Sequence, residues 1–181
     1  MTKEELIIEI RTAFNNVKLE DGVGLWEGQG IDDYADSKTM AELKSKDERD
    51  NWENIPYKDL TMCESSLSFF DAKGMRFCLP KFLIFDLLAD EVLEEQGLYA
   101  PNVVFTLSYN INEEYKKNSF SLLNNEQKQS IIHYLEFRLD EIKETFKEYS
   151  IKYGSSEETI FSDNNFIELN RAIIEWKQKM D

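Results

Sequence analysis

The sequence predicts an α+β domain that is mostly helical and carries one small antiparallel β-hairpin sheet. Long amphipathic patterns with a period near 3.6 residues predict helices at the start and in the second half of the chain. Between them, two short apolar segments flank the tetrapeptide DAKG, a spacing typical of a hairpin. The 181 residues, of which 41% are hydrophobic, suffice for a single compact domain over 1–181 with a substantial core.

The first predicted helix covers residues 3–16, with Thr2 as its cap and acidic residues in its first turn. Its buried stripe is predicted to comprise Leu6, Ile7, Ile10, Ala13 and Phe14. The stretch GVGLWEGQGIDDY then predicts a flexible acidic loop over 20–36, because glycine permits unusual backbone angles. A second, highly charged helix is expected over 39–51.

The hairpin is predicted over 66–79, where SLSFF and MRFCL form the strands and Gly74 is the left-handed turn residue. Pro80 lacks an N–H, so it ends the second strand and suits the first turn of a helix over 80–96. Gly97 closes that helix.

Three smaller expectations concern the middle of the chain. Alternation along the second strand turns Arg76 towards solvent or towards an acidic partner. In WENIP, Pro56 biases the residue before it away from helical geometry. The aromatic residues expected in the core are Phe69, Phe70, Phe77, Phe82 and Phe85.

The second half of the chain is predicted to be mainly helical. Segment 101–120 is ambiguous, because its Val, Phe, Thr and Tyr content suits a third strand, an irregular segment or part of a helix. A long helix follows over 125–148, capped by an asparagine, and Gly154 breaks the chain after it. Its buried stripe is predicted to comprise Ile131, Ile132, Leu135, Leu139, Ile142 and Phe146. A last helix over 163–179 is expected to be capped by Ser162.

Four motifs in this order resemble an uncharacterised bacterial family that is known only as a domain of unknown function. They are IRTAFNNV, WENIP, the hairpin stretch LSFFDAKGMRFCLP and the helix entry LLNNEQKQSIIHYLEF. The likeness covers roughly residues 7–140 and leaves the last forty residues unmatched. It implies a bacterial source and one compact domain, but no reaction.

Charge is the unusual bulk property, because 36 acidic against 21 basic residues give a net charge of −15. Such a field repels nucleic acids and anionic membranes and favours a basic protein partner. No apolar run reaches the length of a membrane span, and no signal peptide is evident. Cys63 and Cys78 lie in apolar surroundings that suit reduced, buried thiols. A soluble, cytoplasmic protein is expected, and its oligomeric state is not predicted.

The glycine-rich stretch does not match a phosphate site. Its spacing is G-x-G-x-x-x-G-x-G, it follows a helix instead of a strand, and no Lys or Arg occurs between Lys18 and Lys38. Each nearby carboxylate would repel an anion by about 1 kcal/mol at 4 Å even in bulk water. Asp32, Asp33 and Asp36 also lack the alternating ligand pattern of an EF-hand.

No cofactor, metal site or catalytic residue is predicted. His133 is the only histidine and lies at the edge of a helical stripe, where a solvent or backbone partner is expected. Without a second histidine or a C-x-x-C motif, a zinc site lacks ligands. The 36 acidic residues offer many pairs for acid–base catalysis, but spacing singles out none.

The leading hypothesis is therefore a non-catalytic protein that binds another protein, as an acidic inhibitor or immunity protein would. The candidate contact residues are Trp26, Glu27, Asp32, Asp33, Tyr34 and Asp36. Aromatic side chains are enriched at binding hot spots, and acidic neighbours suit a basic partner. The alternatives are an enzyme that uses carboxylates and a housekeeping domain whose glycine-rich loop is merely mobile.

Overall fold

The computed structural model of the protein describes residues 1–154 and 157–180 and, at 157 and 158, the backbone alone. Across these residues the chain is helical and contains no β-strand. The fold is therefore all-α, and the predicted α+β class with a hairpin over 66–79 is wrong.

Within this part of the chain there are ten α-helices and three 3₁₀ turns. The helices are α1 (Lys3–Ala13), α2 (Leu25–Asp32), α3 (Ser37–Lys44), α4 (Tyr57–Met62), α5 (Ala72–Leu87), α6 (Ala89–Gln96), α7 (Val103–Ser108), α8 (Glu114–Ser119), α9 (Asn125–Tyr153) and α10 (Asn164–Gln178). The 3₁₀ turns are Trp52–Asn54, Glu64–Ser68 and Glu157–Ser162.

Helix α5 lies at the centre of the core and is apolar around its whole circumference. Its buried residues are Gly74, Met75, Phe77, Cys78, Leu79, Pro80, Phe82, Leu83, Ile84, Phe85 and Leu87. A helix that is apolar all round must be covered all round. Helices α1, α6, α7 and α8 and the 3₁₀ turn Trp52–Asn54 pack against it.

The hairpin prediction failed because a short apolar run does not distinguish a buried strand from a buried helix. Asp71, which looked like a turn residue, is the N-cap of α5, and its carboxylate accepts the Gly74 N–H at 2.8 Å. Gly74 itself is helical and not left-handed. Pro80 lies inside α5, where its missing N–H removes one helical hydrogen bond. Burial of the surrounding apolar side chains offsets that loss.

Helix α9 packs against both the first and the last helix, α1 and α10. Its predicted stripe is buried at Ile131, Ile132, Leu135 and Leu139 and half-buried at Ile142 and Phe146. The buried Tyr134 hydroxyl donates to Oδ2 of Asp86 on α5 at 2.5 Å. Burial and the neighbouring Asp86 carboxylate raise the pKa of Tyr134 well above its usual range.

Segment 101–120 is helical, which resolves the three alternatives left open by its sequence. It contains α7 and α8, joined by a turn in which Asn110 has a positive φ of 52°. The last helix, α10, packs against α7 and α9 of the same chain. Its Trp176 is fully buried and donates its indole N–H to the carbonyl of Leu107 at 2.9 Å.

Signals at helix ends were mostly predicted correctly, because they depend on local chemistry. Thr2 caps α1 in a capping box, and Asn124 does the same for α9. Gly97 and Gly154 end α6 and α9 in the left-handed conformation, with φ of 68° and 67°. Helix α10 is the exception, since Asp163 caps it and Ser162 does not.

The predicted helix bounds need four corrections. Helix α3 covers only the first part of 39–51, and the helix predicted over 80–96 is the end of α5 plus α6, separated at Leu88. The helix predicted over 3–16 is α1, which ends at Ala13, and the helix predicted over 125–148 is α9, which continues to Tyr153. The helix predicted over 163–179 agrees with α10 to within one residue at each end.

The two cysteines are buried, free thiols, as predicted. Burial raises the pKa of Cys63 to about 12 and that of Cys78 well above its usual range. Among the described residues, no helix combines the length and the apolar character that a membrane crossing needs.

The close approach of residues 22–24 to the start of α5 generates a first prediction. A Cβ on Gly74 would lie 2.1 Å from the Val23 carbonyl oxygen, so backbone must shift to admit alanine. We expect Gly74→Ala to lower the free energy of unfolding by about 1–3 kcal/mol, although alanine favours helix. Urea denaturation measures this. The control Glu95→Ala, at an exposed position of α6, should stay within about 0.5 kcal/mol. A neutral or stabilising Gly74→Ala would contradict the close packing.

Candidate functional site

The glycine-rich stretch is a packed helix and not the flexible loop predicted over 20–36. Helix α2 packs against the 3₁₀ turn Glu64–Ser68 and against α3. Gly28 and Gly30 are buried at these contacts. A Cβ would lie 3.0 Å from Ser66 at Gly28 and 2.6 Å from Leu43 at Gly30. These glycines therefore allow close packing of helices, which is why their clustering gave a misleading loop signal.

The N-terminus of α2 is capped by a side chain from a distant segment. Gly24 is the N-cap and has no side chain to offer. Asp47 takes its place, since its two carboxylate oxygens accept the backbone N–H of Trp26 at 2.7 Å and that of Glu27 at 3.4 Å. A Cβ on Gly24 would overlap the Asp47 carboxylate at 2.2 Å, so the cap depends on the glycine.

The Asp47 carboxyl has an unusual pKa for a helix cap. Burial raises its pKa from 3.8 to about 6, and the charge of Glu27 adds to this effect. The two backbone N–H groups oppose it by stabilising the charged form. Asp47 therefore carries a proton for part of the range between pH 5 and 7.

Trp26 is half-buried and packs against the core, unlike the free contact residue expected in a loop. Its indole N–H donates to Oδ2 of Asp59 at 3.3 Å. The Lys46 ammonium lies over the indole ring, 4.7 Å from its centroid. Glu27, beside it, forms an ion pair with Lys44 at 2.8 Å.

A cavity of about 290 Å³ opens beside the indole and is called the Trp26 pocket below. Its walls include Trp26, Lys46, Asp47, Glu48, Pro56 and Asp59. Three carboxylates and one ammonium thus surround an aromatic face. Each carboxylate already accepts hydrogen bonds within the protein. Glu48 Oε1, for example, accepts three successive backbone N–H groups, those of residues 49–51.

The opposite end of α2 forms a second group, called the acidic corner, which consists of Asp32, Asp33, Tyr34 and Asp36. Tyr34 is 95% exposed and has a positive φ of 53°. Asp33 and Asp36 are exposed, and Asp32 is half-buried. Asp36 also caps α3 by accepting two backbone N–H groups, each at 2.9 Å.

Hydrogen bonds fix the backbone at Tyr34. Ala35 donates its N–H to the Gly30 carbonyl at 2.9 Å, and Tyr34 donates its own to the Ile31 carbonyl at 3.2 Å. This pair of bonds is the Schellman motif, in which glycine usually takes the left-handed position. Tyrosine occupies that position here.

The structure therefore divides the six candidate residues between the two ends of α2. Sequence reasoning missed Lys46, Asp47 and Asp59, which build the pocket beside Trp26. They lie 20 or more residues away along the chain, and no local motif marks them.

Other residues with potential chemistry have structural roles or no ligand. His133 Nδ1 lies 2.8 Å from Glu9 of α1, and Gln129 contacts Nε2, so the predicted solvent or backbone partner is wrong. Arg76, predicted on a strand, lies on α5, and its buried Nε has no hydrogen-bond partner in the described part of the protein. Residues 1–154 and 157–180 contain no group of three or more His, Cys, Asp or Glu side chains placed to hold a metal.

A larger cavity of about 530 Å³ lies between α7, α9 and α10. The positively charged residue in its wall is Arg138, whose guanidinium already contacts Glu141 at 2.6 Å and Asp86 at 3.4 Å. These contacts occupy the group that would otherwise bind an anionic ligand.

The chain matches a known protein family over most of its length. The model of a family of unknown function, DUF6714, matches residues 2–158. The match includes the range in which the motifs resemble an uncharacterised domain, and it contains both ends of α2. No curated protein and no solved structure matches the chain.

The raised pKa of Asp47 gives a prediction with a definite sign. Because its folded-state pKa of about 6 exceeds the ordinary 3.8, folding favours the protonated form. Asp47 thus stabilises the fold most below about pH 4 and loses that contribution as the pH rises through 6. We expect the stability of wild type relative to Asp47→Asn to fall by about 1–2 kcal/mol between pH 4 and 7, after allowance for solvent screening.

Asp36→Asn is the matched control, because backbone hydrogen bonds from Thr39 and Lys38 lower the pKa of Asp36. Its contribution is present above about pH 4 and is lost as the pH falls, so its trend is opposite. Urea denaturation across this pH range measures both. A wild-type advantage over Asp47→Asn that grows with pH would show that Asp47 acts as a charged cap.

Proposed function

We propose that this chain, which belongs to the DUF6714 family of unknown function, is a non-catalytic protein that binds a basic surface of another protein. The contact is made by the acidic corner, with Tyr34 at its centre. The observation that carries this proposal is the conformation of Tyr34, which is nearly fully exposed at a backbone position suited to glycine.

The left-handed conformation costs a residue with a Cβ roughly 1–2 kcal/mol. Four described residues other than glycine adopt it, and two of them, Asn16 and Asn110, are of the type that tolerates it best. Tyrosine is not a residue type that tolerates this conformation well, and the exposed ring of Tyr34 gains no packing energy to offset the strain. Strain of this kind is concentrated at functional sites. Tyrosine is also enriched among residues that dominate binding energy.

The charges around Tyr34 indicate the partner's character. Asp32, Asp33 and Asp36 lie within two residues of Tyr34 along the chain, and the whole chain has a net charge of −15. Complementary charge steers a basic partner to such a surface and speeds association. An inhibitor or immunity protein that covers a basic surface of its target fits this description and is the finer proposal.

Catalysis by carboxylates, the alternative hypothesis, gains less support from the geometry. In the Trp26 pocket, Asp47 caps α2 and Asp59 holds the indole N–H of Trp26. A pair of carboxylates free to exchange protons with a substrate would be expected in an acid–base site. These carboxylates have structural bonds instead. The housekeeping alternative loses the mobile loop that it assumed, since residues 25–32 form a packed helix.

The substitution Tyr34→Gly tests the proposal, because it separates stability from binding. Relief of strain should raise the free energy of unfolding by about 0.5–1 kcal/mol. Loss of the ring should weaken capture of the partner at least tenfold, as removal of an interface hot spot does. Capture from a lysate of the source organism, at low and high salt, is read by mass spectrometry.

Asn110→Gly is the matched control, since Asn110 has nearly the same φ and is exposed outside the acidic corner. It should leave capture unchanged. Salt should weaken capture by wild type, because exposed charges are screened. Two results would rule out the acidic corner as the binding surface. One is equal capture of the partner by wild type and by Tyr34→Gly, and the other is an amount of captured partner that does not change with salt concentration.

A further inference from the structure

The Trp26 pocket already holds a cation, and that cation comes from the chain itself. Lys46 is exposed, yet its ammonium lies over the Trp26 ring at 4.7 Å from the centroid. It forms no ion pair with the side chains that the structure describes. A cation over the face of tryptophan is held by the ring's quadrupole, and tryptophan is the strongest of the aromatic residues in this respect.

The surrounding charges make the pocket a good environment for a cation. Asp47, Glu48 and Asp59 line the cavity, against Lys46 as the single positive charge in its wall. Within the described residues, bonds to Asp59 use Oδ2, so Oδ1 faces no competing donor. The cavity of about 290 Å³ is large enough for one long side chain.

The Trp26 pocket and the acidic corner lie at the two ends of the same helix, α2. Helix α2 has eight residues, so its two ends are about 12 Å apart. One partner surface can cover both.

We propose that the Trp26 pocket binds an arginine side chain of the partner, which displaces Lys46 from the indole face. This inference rests on the proposed function and adds the chemistry of a second contact beside Tyr34. Arginine fits because its planar guanidinium stacks on an aromatic ring while its N–H groups donate to a carboxylate, here Asp59. Lys46 acts as an internal competitor that keeps the pocket covered until the partner arrives.

The test uses the full chain, labelled with ¹⁵N, and two short peptides as probes. One is acetyl-Gly-Arg-Gly-amide, and the other carries citrulline, a neutral analogue of arginine with almost the same shape. The readout is the indole N–H signal of Trp26, assigned by its loss in Trp26→Phe. The indoles of Trp52 and Trp176 donate to the buried carbonyls of Phe14 and Leu107 and serve as internal references.

We expect the arginine peptide to shift the Trp26 signal saturably, with a dissociation constant in the millimolar range, and the citrulline peptide to leave it unchanged. Lys46→Ala should strengthen binding about threefold, because it removes a competing cation–π contact. Asp59→Asn keeps an acceptor for the indole N–H but removes the charge, and should weaken binding about fivefold or more.

Two outcomes would overturn the inference: no saturable shift in wild type and Lys46→Ala alike, or equal shifts with arginine and citrulline. Neither outcome depends on partner capture, because the peptides replace the partner. If the arginine peptide binds but the Tyr34→Gly variant captures the partner as well as wild type does, the proposed function is refuted and the inference about the pocket stands. Normal, Tyr34-dependent capture without peptide binding would refute the pocket alone.

Discussion

The fold depends on covering one helix that has no polar side. Helix α5 carries apolar side chains on every face, so it is stable only when neighbouring elements cover all of them. Short helices supply most of that enclosure, and short helices are marginal by themselves. Side-chain caps contribute to their stability: the residue at the helix start caps α3 and α7, whereas Asp47 reaches α2 from a distant segment.

Two aspartates show how this works around α2. Asp71 caps α5 and also accepts the N–H of Val23 at 3.1 Å, which ties the approach of α2 to the central helix. Asp47 caps α2 from the other side. The acidic composition that looked like a surface property is thus partly structural. Arg49 completes the arrangement by donating to the carbonyls of Glu20 and Gly22.

The sequence predicted elements whose signals are local and missed those decided by tertiary packing. The stripes of α1 and α9 and the caps Thr2 and Asn124 follow from neighbouring residues. Helix α5 was misread, because an unbroken apolar run lacks the periodicity that separates helix from strand. Gly28 and Gly30 indicated a loop, since nothing nearby in the sequence reveals that another helix lies against them.

The candidate site was predictable to the same extent. The exposure of Asp33, Tyr34 and Asp36 follows from their polar surroundings and matches the structure. The half-burial of Trp26 does not, since it depends on residues 46–59, which only the fold brings near. The left-handed backbone at Tyr34 could not be predicted either, because the residue that usually indicates this conformation in a sequence is glycine.

The position of Trp176 shows that the packed core extends beyond the family match. The family match ends at residue 158, before α10 begins at Asn164. Yet the indole of Trp176, on α10, is fully buried and donates its N–H to the carbonyl of Leu107. Residues 2–158 without α10 would therefore expose the surface that Trp176 covers and leave that carbonyl without its indole donor.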